Sequence, residues 1–191
     1  MSGRPDPSAL VALVERVQAP LLARRFYGDG PVSPITASIA HVPELLEVAL
    51  PFIGAALGPA GLDTRDKEIA ILRTSALLEC RYCVQTHSVL ALDADLSSDE
   101  VRALRGDSEI ERIFADPRER VMIEWIDAVA LGRGPLDPAL TARASDRLED
   151  HALVELTMTV TATLMLNRYC TALALPTSAA TLERLAAAGF D

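Results

Sequence analysis

Apolar residues recur along this chain at steps of three and four, the spacing of one helical face. Nowhere do they keep up the alternation of two that a half-buried strand needs. Leu10, Leu13, Val14, Val17 and Leu21 form the first stripe, behind an Asp6-Pro7 start that offers an N-cap and a proline suited to a first turn. Pro20 bends or splits the helix so predicted. The Gly- and Pro-rich "YGDGPVSP" (residues 27–34) reads as a loop, followed by a short helix over residues 35–40. Pro43 opens another helix, with Leu45, Leu46, Ala49, Leu50 and Ile53 expected on its buried side. "GPAGLD" (58–63) breaks the chain, and Asp63 or Thr64 caps a helix carrying Glu68, Leu72 and Leu77. A helix or helix break brings in residues 80–92, and Ser97 or Ser98 with its following acids gives a capping signature for the next element. Pro117 begins a helix carrying Val121, Ile123, Trp125, Ile126 and Val129, which ends at Gly132. Pro138 begins a shorter amphipathic one. A long apolar helix over 150–175 is stopped by Pro176, and a last helix over 178–188 ends at Gly189. The pattern predicts an all-α fold of about seven to nine helices.

Length and composition narrow this further. At 191 residues the chain fits a single domain, residues 1–191, and with 50% hydrophobic residues it can build a sizeable core. Aromatics are scarce at 4% while Ala and Leu abound, which favours helices over a β-sandwich. A net charge of −9 disfavours nucleic acid and anionic membranes as partners. The opening "MSGRPDPSAL" carries no long apolar run of the kind a secretory signal needs. Residues 152–175 are apolar enough to resemble a membrane span, yet they contain Glu155, Asn167 and Arg168; the expectation is a buried helix of a soluble protein. Three cysteines without an export signal argue against a disulfide framework and for a reducing, cytoplasmic setting.

Candidate chemistry concentrates in "EIAILRTSALLECRYCVQTHSV", residues 68–89, with Glu68, Cys80, Cys83 and His87. The two cysteines and the histidine fall at i, i+3 and i+7, one face of a helix. A C-x-x-C at a helix start has a known consequence. Backbone N–H groups and the helix dipole stabilise a thiolate, the second thiol can close a disulfide, and a histidine with a carboxylate can move the proton. Arg81 between the cysteines adds positive potential. Two other readings stand beside the redox dithiol. Cys80, Cys83 and His87 could hold zinc, with Glu68 or water as fourth ligand, although structural zinc usually draws its second ligand pair from a separate element. Cysteines also pack well in cores, which makes the pair a coincidence. Cys170 sits in an apolar run and reads as a core residue, His41 as packing or capping a turn, and His151 as a helix-start residue.

The spacing Glu68, eleven residues, Cys80, two residues, Cys83, three residues, His87 resembles the E-x11-C-x2-C-x3-H signature of the AhpD-like (alkylhydroperoxidase D-like) family of the carboxymuconolactone decarboxylase superfamily. "IAHVPELLEVALPFIGAAL" is similar to the segment that precedes the motif, and "TVTATLMLNRYCTALALP" to the closing helix, so the resemblance covers residues 35–176. It implies an all-α helical bundle that assembles into trimers or hexamers. It implies a thiol-dependent peroxidase or disulfide oxidoreductase acting on alkyl hydroperoxides, in which Cys83 attacks, Cys80 resolves the sulfenate, and His87 with Glu68 relays the proton. No cofactor is implied beyond the Cys80–Cys83 disulfide, and the reductant is a thiol donor, a lipoyl protein or a small dithiol. Peroxidase members carry a histidine just before the second cysteine; here that residue is Tyr82, a poor base at neutral pH. Decarboxylase members lack the cysteine pair. The alternatives are a non-enzymatic redox-responsive protein, or a metal-dependent or specialised biosynthetic member of the superfamily.

Overall fold

Most helix starts in this protein are set by one residue able to accept a backbone N–H. Ser33, Asp63, Ser97, Asp116, Asp137 and Ser178 each do so with their side chains, and Ser97 with Glu100 completes a capping box. The computed structural model describes residues 9–190. It contains α1 (Pro34–Ile39), α2 (Pro43–Leu57), α3 (Thr64–Leu77), α4 (Arg81–Asp93), α5 (Ser98–Arg105), α6 (Ile110–Ile113), α7 (Pro117–Leu131), α8 (Pro138–Arg147), α9 (Asp150–Ala172) and α10 (Ala179–Ala187). No strand occurs among the described residues, and the fold is all-α.

The centre of the molecule is α3, which packs against α4, α5, α7 and α9. Ile69, Ala70 and Leu72 on α3 join Met122, Ile126, Leu156 and Val160 in the main core. Paired guanidinium–carboxylate contacts tie α3 to its neighbours at the rim. Arg118 reaches Asp66 at 3.0 and 2.7 Å, Arg73 reaches Asp127 at 2.7 and 2.6 Å, and Arg65 bridges Glu119 on α7 and Glu100 on α5. Lys67 is buried outright. Its ammonium donates to the Ala56 carbonyl at 3.0 Å and to Thr159 Oγ1 at 2.9 Å, and lies 2.8 Å from Glu155 Oε1. Glu155 Oε2 in turn accepts the Gly61 and Leu62 N–H groups at 2.8 and 3.1 Å. This knot joins α2, the loop before α3, and α9. It also explains why an acid interrupts the apolar run of α9: removing one partner of such a buried pair costs about 3–5 kcal/mol.

Two expectations are corrected. The Asp6-Pro7 start lies outside the described residues, but the helix it was to begin does not form. Residues 9–33 run as irregular chain with two short 3-10 turns, Arg16–Gln18 and Arg24–Phe26. Leu10, Val17 and Leu21, placed on one face by their spacing, are exposed. Tertiary bonds replace helical ones: the Leu10 N–H donates to the Leu173 carbonyl at 2.9 Å, the Val14 N–H to the Ala37 carbonyl at 3.1 Å, and His41 Nε2 meets the Ala12 carbonyl at 2.7 Å. An isolated helix of this length, broken by Pro20, is too weak to compete. On α2, Leu46 is fully buried as expected, but Leu45 is 51% exposed and shares an outward face with Val48 and Phe52. The run at 150–175 does form one long helix, α9, which ends at Ala172. Among the described residues no helix is long and apolar enough to cross a membrane.

Candidate active site

Three helix ends meet where the cysteines lie. α3 ends in a Schellman turn: the Glu79 N–H donates to the Ala76 carbonyl at 3.0 Å, and the Cys80 N–H to the Ser75 carbonyl at 3.1 Å. Glu79 sits at φ 53°, the left-handed position that glycine normally takes. The turn hands the chain directly to α4, with Cys80 at the N-cap. The end of α9 repeats the construction. The Ala174 N–H donates to the Thr171 carbonyl at 3.2 Å and the Leu175 N–H to the Cys170 carbonyl at 3.0 Å, with Ala174 at φ 50°. Both strained residues border one cleft of about 190 Å³, lined also by Cys80, Tyr82, Cys170 and Leu175. Backbone strain gathered in this way is a pointer to function.

Cys80, Cys83, Cys170 and Leu175 form a buried cluster separate from the main core, flanked by Ala9, Leu13 and Tyr169. All three thiols are free. Contacts with the Cys170 and Cys83 thiols, and with the Cys83 backbone N–H and Thr171, outweigh burial and bring Cys80 down to about 3. Cys80 makes no side-chain capping hydrogen bond of ordinary geometry. The amide acts instead as part of the positive field at the α4 start. Cys170 is pushed up to about 12, chiefly by Cys80 and with burial adding. Cys83 is raised further still, by Cys170, Cys80 and burial in that order. Within this cluster Cys80 is the thiol that is lowered, and Cys83 and Cys170 are the two that are raised.

His87 Nδ1 lies 2.9 Å from Glu68 Oε2, across the α3–α4 contact, with both side chains largely buried. A carboxylate there accepts from Nδ1–H, fixes that tautomer and leaves Nε2 to take or give a proton. The four residues named from the sequence thus fall into two groups, Cys80 with Cys83 and Glu68 with His87. Among the described residues no hydrogen bond joins His87 to either cysteine. No group of three or more His, Cys, Asp and Glu side chains there is arranged to hold a metal. Burial is the main cause that raises Tyr82 above its ordinary range, so its phenol stays protonated and can donate but not act as a base. Cys170 is buried, as its apolar run suggests, but the core cluster it joins is that of Cys80 and Cys83. Its position in an apolar run spoke for the core, and nothing local in the sequence announces that α9 ends beside Cys80.

The model of the carboxymuconolactone decarboxylase family matches residues 43–128, which hold Glu68, Cys80, Cys83 and His87 and the helices α2 to α7. Residues 43–128 are thus similar to that family, and the described chain has the fold of AhpD-like proteins. YnjA of Escherichia coli strain K12 is 27% identical over 171 residues, 89% of this chain and 91% of its own. The alkylhydroperoxidase AhpD core of a peroxidase-related protein from Ralstonia eutropha JMP134 superposes with a TM-score of 0.80 at 17% identity, over 92% of this chain and 95% of that one. The debrominase Bmp8 superposes with a TM-score of 0.75 at 19% identity, over 92% and 96%. Proteins named for more than one activity therefore share this fold. Cys170 lies beyond the residues that the family model matches.

Proposed function

We propose that this chain is a thiol-dependent peroxidase, a disulfide oxidoreductase that reduces hydroperoxides with electrons from an external dithiol. The observation that carries this reading is Cys80 at the N-cap of α4, which borders a cleft while only 1% exposed and clusters with the second thiol of the same motif. The Cys80 thiolate attacks a peroxide oxygen; the S–O bond forms as the O–O bond breaks, and the alcohol leaves with a proton. The Cys83 sulfur then attacks the sulfenic acid, the disulfide closes, and the oxygen leaves as water with the Cys83 proton. A lipoyl-type or small dithiol reopens the disulfide and is itself oxidised. His87, oriented by Glu68, carries protons between Cys83 and the leaving oxygen through intervening water.

This order of attack reverses the one that the resemblance implies. What favours Cys80 is its place at the N-cap of α4, in the positive field of the helix start and bordering the cleft, whereas Cys83 does not line it. Steady-state consumption of hydrogen peroxide with dihydrolipoamide as donor tests the reading. The wild-type protein should turn over, Cys80→Ser should lose reaction with the first equivalent, and Cys83→Ser should keep that first equivalent but lose normal cycling. A disulfide that forms without turnover by any dithiol would instead mark a redox-responsive protein. A first equivalent retained in Cys80→Ser would restore Cys83 as the attacking thiol. We extend the proposal to assembly: copies of this chain pack through the outward apolar faces of α2 and α9.

A further inference from the structure

Cys80 and Cys170, each 1% exposed, both border the cleft at the ends of α3 and α9, while Cys83 belongs to the same buried cluster without lining the cleft. The two cysteines that border the cleft are therefore not the C-x-x-C pair. Cys170 is fixed there by the turn that ends α9, through its own carbonyl and the left-handed Ala174. Tyr169, the residue before it, is held by a 2.9 Å hydrogen bond between its hydroxyl and Ser38 Oγ. An inert core cysteine needs neither the cleft nor contact with two other thiols.

We propose that Cys170 is a third redox-active thiol of this site, which closes a cleft-facing disulfide with Cys80 and serves as the point of entry for the reducing dithiol. The inference rests on the peroxidase reading and deepens it. Two balanced steps lead to the Cys80–Cys170 bond. In one, the Cys170 sulfur attacks the Cys80 sulfenic acid, the S–S bond forms and water leaves with the Cys170 proton. In the other, Cys170 attacks Cys80 in the Cys80–Cys83 disulfide, Cys83 leaves and takes up the proton that Cys170 lost, and no electrons enter or leave the protein. An external dithiol then attacks Cys170 at the cleft, forms a mixed disulfide and frees Cys80; its second thiol releases Cys170 and leaves as the oxidised donor.

The sequence makes the test direct. Arginines at 73, 81, 102, 168 and 184 let trypsin place Cys80, Cys83 and Cys170 on three separate peptides, residues 74–81, 82–102 and 169–184. The full chain is oxidised with hydrogen peroxide, its remaining thiols are blocked with N-ethylmaleimide in acidic denaturant, and the digest is mapped by mass spectrometry. Wild-type protein should yield a cross-link of 74–81 to 169–184 beside that of 74–81 to 82–102. In Cys83→Ser the first should become the main product, and adding Cys170→Ala should replace it with Cys80 sulfinic acid. The proposal falls if Cys83→Ser accumulates oxidised Cys80 while Cys170 is recovered fully blocked. It falls equally, without any variant, if the wild-type digest holds the C-x-x-C cross-link alone at every peroxide dose. Wild-type protein that keeps all three thiols free under peroxide would instead remove the underlying peroxidase reading.

Discussion

At the scale of single residues, one thiol sets the chemistry. A cysteine at its ordinary pKa near 8.5 is only about 0.1% thiolate at pH 5.5. Cys80, lowered by the Cys170 and Cys83 thiols, should be the one thiol ionised there. Carbamidomethylation by iodoacetamide at pH 5.5 should therefore label peptide 74–81 far faster than either other cysteine peptide, at a rate nearly flat from pH 5 to 8. A rate for Cys80 that climbs tenfold per pH unit over that range would return it to ordinary thiol behaviour. The same shift has a sign for stability. Cys80 is an acid with a depressed folded value, so its contribution is full above the unfolded value and is lost as pH falls through about 3. Cys170, raised to about 12, works oppositely: its contribution is full below the unfolded value and is lost as pH rises through the folded one. Between those limits the Cys80 effect should make the wild-type protein gain stability relative to Cys80→Ala as pH rises from 4 to 7, read by urea unfolding.

At the scale of elements, the site is made from helix ends rather than helix faces. Glu79 and Ala174 take the left-handed conformation where α3 and α9 stop, and a side chain there costs roughly 1–2 kcal/mol over glycine. Glu79→Gly should therefore stabilise the protein by about 1 kcal/mol after the entropy of the more flexible unfolded chain is counted, raising Tm by ~2–4 °C. A lower Tm would show that the Glu79 side chain makes a contribution larger than its strain. The arrangement was partly readable. Asp63, Ser97, Pro117, Pro138 and Pro176 marked where helices begin and stop, because caps and prolines act within a few residues of themselves. Residues 9–33 were misread, because their apolar spacing is helical but their partners are the Leu173 and Ala37 carbonyls far along the chain.

At the scale of the whole molecule, α9 has two duties. Ala152, Leu156, Val160 and Thr163 face the core, while Val154, Met158 and Met165 lie outward along one stripe, and Val154 is 68% exposed. Exposed apolar faces of this kind mark interaction surfaces. Sedimentation at micromolar concentration should find the wild-type protein as a homo-oligomer and a Val154→Glu, Met158→Glu double variant as a smaller species with its helical circular dichroism retained. A wild-type monomer would remove the proposed assembly.

The sequence alone determined the class of the fold and the motif, because both depend on spacing. Helical periodicity, caps and the E-x11-C-x2-C-x3-H pattern are local, and Glu68 and His87 do meet as that spacing requires. What only the tertiary structure decided is which groups share an environment. The packing of α9 against α3 and α4 brings Cys170, 87 residues beyond Cys83, into contact with the motif thiols. The same packing buries all three thiols together, and the contacts among them lower Cys80 and raise Cys83. A thiol's charge is set by the dipoles and sulfurs within a few ångströms of it, and a linear pattern does not specify which parts of the chain will supply them.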